Sequence, residues 1–64
     1  MLRINGEEKN AAGQTLADYL ASAGYNAARV VVEINEAIVP RDRYAETVLR
    51  DGDVVEVVCF MGGG

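Results

Sequence analysis

A chain of 64 residues makes one small domain, because an independent core needs some tens of residues and no room remains for a second. It has no histidine and a single cysteine, Cys59, which excludes Ser-His-Asp and Cys-His catalysis, imidazole metal centres, thiolate cages and internal disulfides. Ten acidic residues against six basic ones give a net charge of −4, which repels phosphate backbones and makes nucleic acid a poor ligand.

In chain order, Leu2 and Ile4 alternate with Arg3, as in a strand with one buried face, and Asn5-Gly6 follows at once. Asn-Gly is the strongest short hairpin signal, because both residues tolerate the positive φ of a type I′ turn. A return strand is therefore expected over Glu7–Ala12, polar enough for a sheet edge. Thr15 then offers an N-cap hydroxyl with Asp18 three residues on. Leu16, Tyr19, Leu20 and Ala23 form one stripe at i, i+3, i+4 and i+7, which predicts a helix of about three turns ended by Gly24. After an alanine-rich connection, Val30–Ile34 is a β-branched strand with Val30, Val32 and Ile34 on one face. Asn35-Glu36-Ala37 turns into Ile38-Val39, a brief extended piece cut off by Pro40. Arg41 to Glu46 reads as a turn or a single helical turn. Val48-Leu49 follows, and Asp51-Gly52-Asp53 turns into a last strand, Val54–Phe60, apolar on both faces as a central strand would be.

The order is hairpin, helix, strand, short strand and central strand, an α+β layer of the β-β-α-β-β type with one helix against one mixed sheet. The first and last strands are expected to lie side by side and parallel, because the helix crosses over between them. Residues 1–60 form the single domain in this reading, with 61–64 as a flexible C-terminal tail. No run approaches the ~20 apolar residues of a bilayer span, and the apolar part of Met1–Asn5 is too short for a signal peptide. A cytoplasmic protein is expected.

The last four residues are Met61-Gly62-Gly63-Gly64. At an average glycine usage of ~7%, three such glycines arise by chance in roughly one chain in three thousand. An extended Gly-Gly-Gly has no side chains and can thread a channel that any Cβ would block. From Phe60 four residues reach at most ~14 Å. A carboxylate on Gly64 is inert until activated, and the chain has no phosphate loop or catalytic base to activate it, so a partner enzyme must do so.

The Asn5-Gly6 hairpin, the segment Val32–Arg41, the run Leu49–Val58 and the closing Gly-Gly-Gly together resemble the sulfur carrier proteins of thiamine biosynthesis, a ubiquitin-like β-grasp family. The resemblance covers essentially the whole chain. The family's Gly-Gly end maps onto Gly63-Gly64, with Gly62 as an additional threading glycine. The resemblance implies a non-catalytic protein cosubstrate, a monomer when free, that binds no cofactor of its own. A ThiF-like adenylating enzyme would use ATP to convert the Gly64 carboxylate into an acyl-adenylate. A persulfide sulfur supplied by a cysteine desulfurase would then displace AMP to leave a thiocarboxylate, 1-thioglycine, and a ThiG-like thiazole synthase would take up that sulfur. The nearest relative in chemistry is the small subunit of molybdopterin synthase, which tends to be longer. A β-grasp interaction module with an idle tail is the alternative of another class.

Val58, Phe60 and Met61 adjoin the tail and are candidates for partner contact, with plain core packing as the alternative reading. Cys59 alternates with Val55 and Val57 and is expected to face the core as a small hydrophobe. Arg41, Asp42, Arg43 and Tyr44 read as a solvated charged turn. Asp51 and Asp53 are too few for calcium and suit a turn. Tyr19 and Tyr25 read as packing. The negative charge predicts docking to a basic partner surface that weakens with salt.

Overall fold

The structure, a computed structural model, describes residues 1–60. It opens with β1 (Leu2–Ile4) and β2 (Glu7–Lys9), antiparallel, with Leu2 opposite Lys9 and Ile4 opposite Glu7. Asn5 at φ 54° and Gly6 at φ 83° give the connecting turn its type I′ conformation. The return strand is shorter than its expected Glu7–Ala12 span. Past Lys9 the chain leaves the sheet and buries Ala11 in the core.

Helix α1 (Leu16–Ser22) begins where Thr15 Oγ1 accepts the Asp18 N–H at 3.1 Å. It ends in a Schellman pair: the Tyr25 N–H donates to Leu20 O at 2.9 Å and the Gly24 N–H to Ala21 O at 3.2 Å, with Gly24 at φ 87°. The helix makes two turns where three were expected, so Ala23 is its exposed C-cap and Leu16 and Leu20 carry the burial. Its first free donors are taken by a later segment: Leu16 N–H reaches Thr47 O at 2.7 Å and Ala17 N–H reaches Tyr44 O at 3.0 Å. This segment also bonds Gly13 and Gln14 through Leu49. Leu49 is thereby fully buried.

A short 3₁₀ turn, Ala27–Arg29, leads into β3 (Val30–Ile34), which pairs antiparallel with β4 (Ala37–Val39). The brief Ile38-Val39 piece is thus a full edge strand, and the sheet has five strands in the order β2-β1-β5-β3-β4. A second 3₁₀ turn, Arg41–Arg43, follows Pro40. Arg41 donates from Nε and Nη2 to the carbonyls of Ala27 and Ala28, both at 3.2 Å, and so ties the two 3₁₀ turns together. Tyr44, expected on a solvated turn, is 4% exposed, because the turn packs it against the N-terminus of α1. Among the described residues no helix is long and apolar enough to cross a membrane.

The last strand, β5 (Val54–Cys59), lies at the centre of the sheet, parallel to β1 and antiparallel to β3, as the crossover required. Leu2, Ile4, Val30, Val32, Val55 and Val57 point to the helix side and, with Leu16, Leu20 and Leu49, form the core. Two asparagines clamp β5. Asn35, at φ 52° in the β3–β4 turn, accepts the Val54 N–H on Oδ1 at 3.0 Å and donates Nδ2 to Asp53 Oδ1 at 3.1 Å. Asn5 accepts the Val57 N–H on Oδ1 at 2.8 Å.

Candidate functional site

The candidate site is the carboxyl end of β5, the part of the described chain that immediately precedes residues 61–64. β1 pairs only with the first two residues of β5, through Arg3 opposite Val54 and Ile4 opposite Val55. From there on β5 is held on one side by β3, and on the other by the carboxamide of Asn5, which takes the ladder position that β1 vacates. Phe60, one residue past the strand, donates its N–H to Arg29 O at 2.8 Å. The last described residue is therefore still fixed to the body of the domain.

Alternation along β5 sends Val55 and Val57 inward and Val54, Glu56 and Val58 outward. Val58 is 53% exposed and Phe60 55% exposed, so the two apolar residues expected on one face are both presented to solvent. Met61, Gly62, Gly63 and Gly64 lie outside the described residues. Cys59 corrects the expectation drawn from alternation. It is exposed, although its register is that of Val55 and Val57. The reason lies in the sheet: Cys59 has Val30 of β3 on one side, while β1 ends level with Val55 and gives it no neighbour on the other.

No constellation of acid, base and nucleophile assembles at this end among the described residues. The titratable groups with displaced pKa values have local causes. The Met1 ammonium is raised by its hydrogen bond to Asp51, at 2.8 Å, and by that carboxylate's charge. Lys9 is raised in the same way by Glu7, at 3.1 Å. Tyr19 is raised by burial of its phenol. Asp53 is occupied within its turn, where Oδ2 accepts the Arg50 N–H at 3.0 Å, which fits the reading of Asp51-Gly52-Asp53 as a structural element. A surface depression of about 510 Å³ beside β4, lined by Ile38, Val39, Pro40 and Val48 among others, does not include the end of β5.

Sequence reasoning missed two features of this region. Asn5 was legible as a turn residue, and nothing local signalled that its side chain would complete the ladder of a strand 52 positions later. Glu33 and Glu56 each sit in an alternating strand, and only the register sets them directly opposite one another on the outer face.

The ThiS family model matches residues 2–64. The sulfur carrier protein ThiS of Bacillus subtilis is 43% identical over 67 residues, with all of both chains covered. A thiazole synthase of Paramagnetospirillum magneticum is 45% identical over 64 residues, which covers 98% of this chain and 20% of that protein. This chain thus spans about a fifth of the length of such synthases. Among solved structures, the thiamine biosynthesis protein ThiS of Geobacter metallireducens superposes with a TM-score of 0.77 at 33% identity, covering 98% of this chain and 97% of that one.

Proposed function

The chain belongs to the ThiS family, and on that premise we propose that it is a sulfur carrier of thiamine biosynthesis whose working group is the carboxylate of Gly64. It acts as a protein cosubstrate and not as a catalyst. The observation that carries this reading is the end-to-end match with carriers from Bacillus subtilis and Thermus thermophilus, and the closing Gly62-Gly63-Gly64 of this chain supports it.

In this reading an adenylating enzyme of the ThiF type lets a Gly64 carboxylate oxygen attack the α-phosphorus of ATP, and pyrophosphate leaves. The acyl-adenylate now carries a good leaving group. A persulfide sulfur that originates from a cysteine desulfurase attacks the acyl carbon and AMP departs. Cleavage of the resulting S–S bond by a second thiol leaves the thiocarboxylate, 1-thioglycine. Thiazole synthase consumes that sulfur, and synthases that carry a segment so similar to this chain support it as the receiving enzyme. ATP-dependent activation goes with a cytoplasmic location.

The contribution of the fold is to hold the base of the tail. Residues 1–60 form the body and 61–64 the segment that enters a partner's channel. Phe60, bonded to Arg29 O, marks the point where the body ends, and four residues reach at most ~14 Å beyond it. Val58, Phe60 and Met61 are proposed to seat the partner's rim, since exposed apolar residues beside a threaded tail exclude water where the tail enters.

Intact mass spectrometry after incubation with ATP, the adenylating enzyme and a sulfur donor tests the proposal. The expected result is a mass gain of one sulfur in place of one oxygen, absent from a variant lacking Gly63 and Gly64 that melts at the same temperature. No gain with active partner enzymes, or a gain that survives the truncation, overturns it.

A further inference from the structure

In the sequence Arg41 reads as one charge of a solvated turn, and the structure gives it a different task. The last carbonyls of a helical turn lack partners inside it. In the 3₁₀ turn Ala27–Arg29 they are served from outside. Arg41 donates from Nε to Ala27 O and from Nη2 to Ala28 O, both at 3.2 Å, while Phe60 donates its N–H to Arg29 O at 2.8 Å. The N–H groups of the same turn are held by Asn26, whose Oδ1 accepts from Ala28 at 2.9 Å and whose backbone oxygen accepts from Arg29 at 2.8 Å. The turn is thereby tied on both sides.

Arg41 can act as a brace because its own base is fixed. Pro40 precedes it, the Tyr44 N–H donates to Arg41 O at 3.2 Å, and Tyr44 is buried. One edge of a guanidinium carries two N–H donors at a set spacing, which matches two successive carbonyls as a lysine ammonium does not. What the braced turn holds is the end of β5. Bonds from β5 to β3 come at every second residue of an antiparallel ladder, so the anchor before Phe60 is at Val58, opposite Val31. A chain released at Phe60 hangs from Val58, and the reach of its last residue grows from ~14 to ~21 Å.

We infer that Arg41 is a positioning residue for the carrier: by fixing the turn Ala27–Arg29 it holds the carbonyl that grips Phe60, and so sets the point from which Gly64 reaches a partner's active site. The inference rests on the carrier reading above. An enzyme docked on the body of the domain fixes the distance between Phe60 and its own reacting groups. A root at Phe60 leaves four residues to be ordered in that space and a root at Val58 leaves six, so Gly64 is correctly placed in fewer of the docked complexes.

The test uses the full chain with Arg41→Gln and Arg41→Lys. Amide hydrogen exchange reads the link itself: in Arg41→Gln the Phe60 amide should exchange about tenfold faster, while Val57, pinned by Asn5, changes only with global stability. Single-turnover adenylation, with the cognate adenylating enzyme in excess, reads the consequence. The maximal rate should fall about tenfold, the equivalent of ordering roughly one more backbone residue, with the half-saturating concentration within about twofold of the unaltered chain's. Partial unfolding or a lost contact with the enzyme would instead move the half-saturating concentration and leave the maximal rate. Arg41→Lys keeps the charge without the paired donors and is expected to match Arg41→Gln in both measurements. A lysine variant that behaves as the unaltered chain makes Arg41 a charge contact and overturns the inference. Unchanged Phe60 exchange in Arg41→Gln overturns it too, as does a maximal rate within about twofold of the unaltered chain's. Failure of the unaltered chain to be adenylated and to acquire sulfur overturns the carrier reading and this one with it, whereas normal rates in both variants overturn the role of Arg41 alone.

Discussion

Replacing Asn5 by glycine separates two roles that one residue plays. Turn chemistry alone makes Asn5→Gly neutral or favourable, because Gly-Gly adopts a type I′ turn readily and Asn5 already sits at φ 54°. The structure gives the opposite sign. Asn5 Oδ1 is the acceptor for the part-buried Val57 N–H at 2.8 Å, in the central strand, where β1 no longer reaches. Removing the acceptor costs about 1–2 kcal/mol for a donor left without its partner. A domain of this size loses roughly 4–8 °C of melting temperature per kcal/mol, so the drop is roughly 4–16 °C. Urea unfolding followed by circular dichroism gives the free energy, and amide hydrogen exchange localises it: Val57 should exchange faster while amides in α1 change only with global stability. A glycine variant as stable as the parent, with Val57 equally protected, refutes the reasoning.

Glu36 occupies the second position of the β3–β4 turn at φ 71°, where a side chain is strained, and Glu36→Gly should stabilise by about 0.5–1 kcal/mol after the entropy of glycine is counted; an unchanged or lower melting temperature contradicts this. Leu49 is fully buried, so Leu49→Ala should lose about 2–5 kcal/mol, a large part of what a domain of this length holds, and appear partly unfolded at 25 °C by circular dichroism. Tyr19 holds its phenolic proton more tightly in the folded state than in the unfolded one, where the ordinary value is 10.0. The stability this contributes is complete below that pH and is lost as pH rises through the higher folded value, so Tyr19→Phe should flatten the alkaline limb of a melting-temperature profile and leave neutral pH nearly unchanged. An identical alkaline limb in the variant counts against it.

What the sequence by itself determined is what short-range sterics and local hydrogen bonds encode. Asn5-Gly6 specified its turn, Thr15 and Gly24 bounded a helix, and β-branched alternation marked β3 and β5. The parallel pairing of β1 with β5 was legible too, because a helical crossover between a hairpin and a central strand leaves few alternatives. The glycines at 62–64 carried the resemblance on which the proposed chemistry rests.

Tertiary structure alone decided which residues are covered and which distant groups meet. Tyr44 looked solvated among charges and is buried, because the end of α1 needs the carbonyls of its turn. Cys59 shares the register of two core valines and is exposed, because the neighbouring strand stops short. The Asn5 carboxamide completes β5, and Glu33 faces Glu56, only through pairings between segments far apart in the chain. A residue's periodicity fixes the direction its side chain takes, while burial depends on how far each neighbouring element extends, and that is set by the packing of the whole.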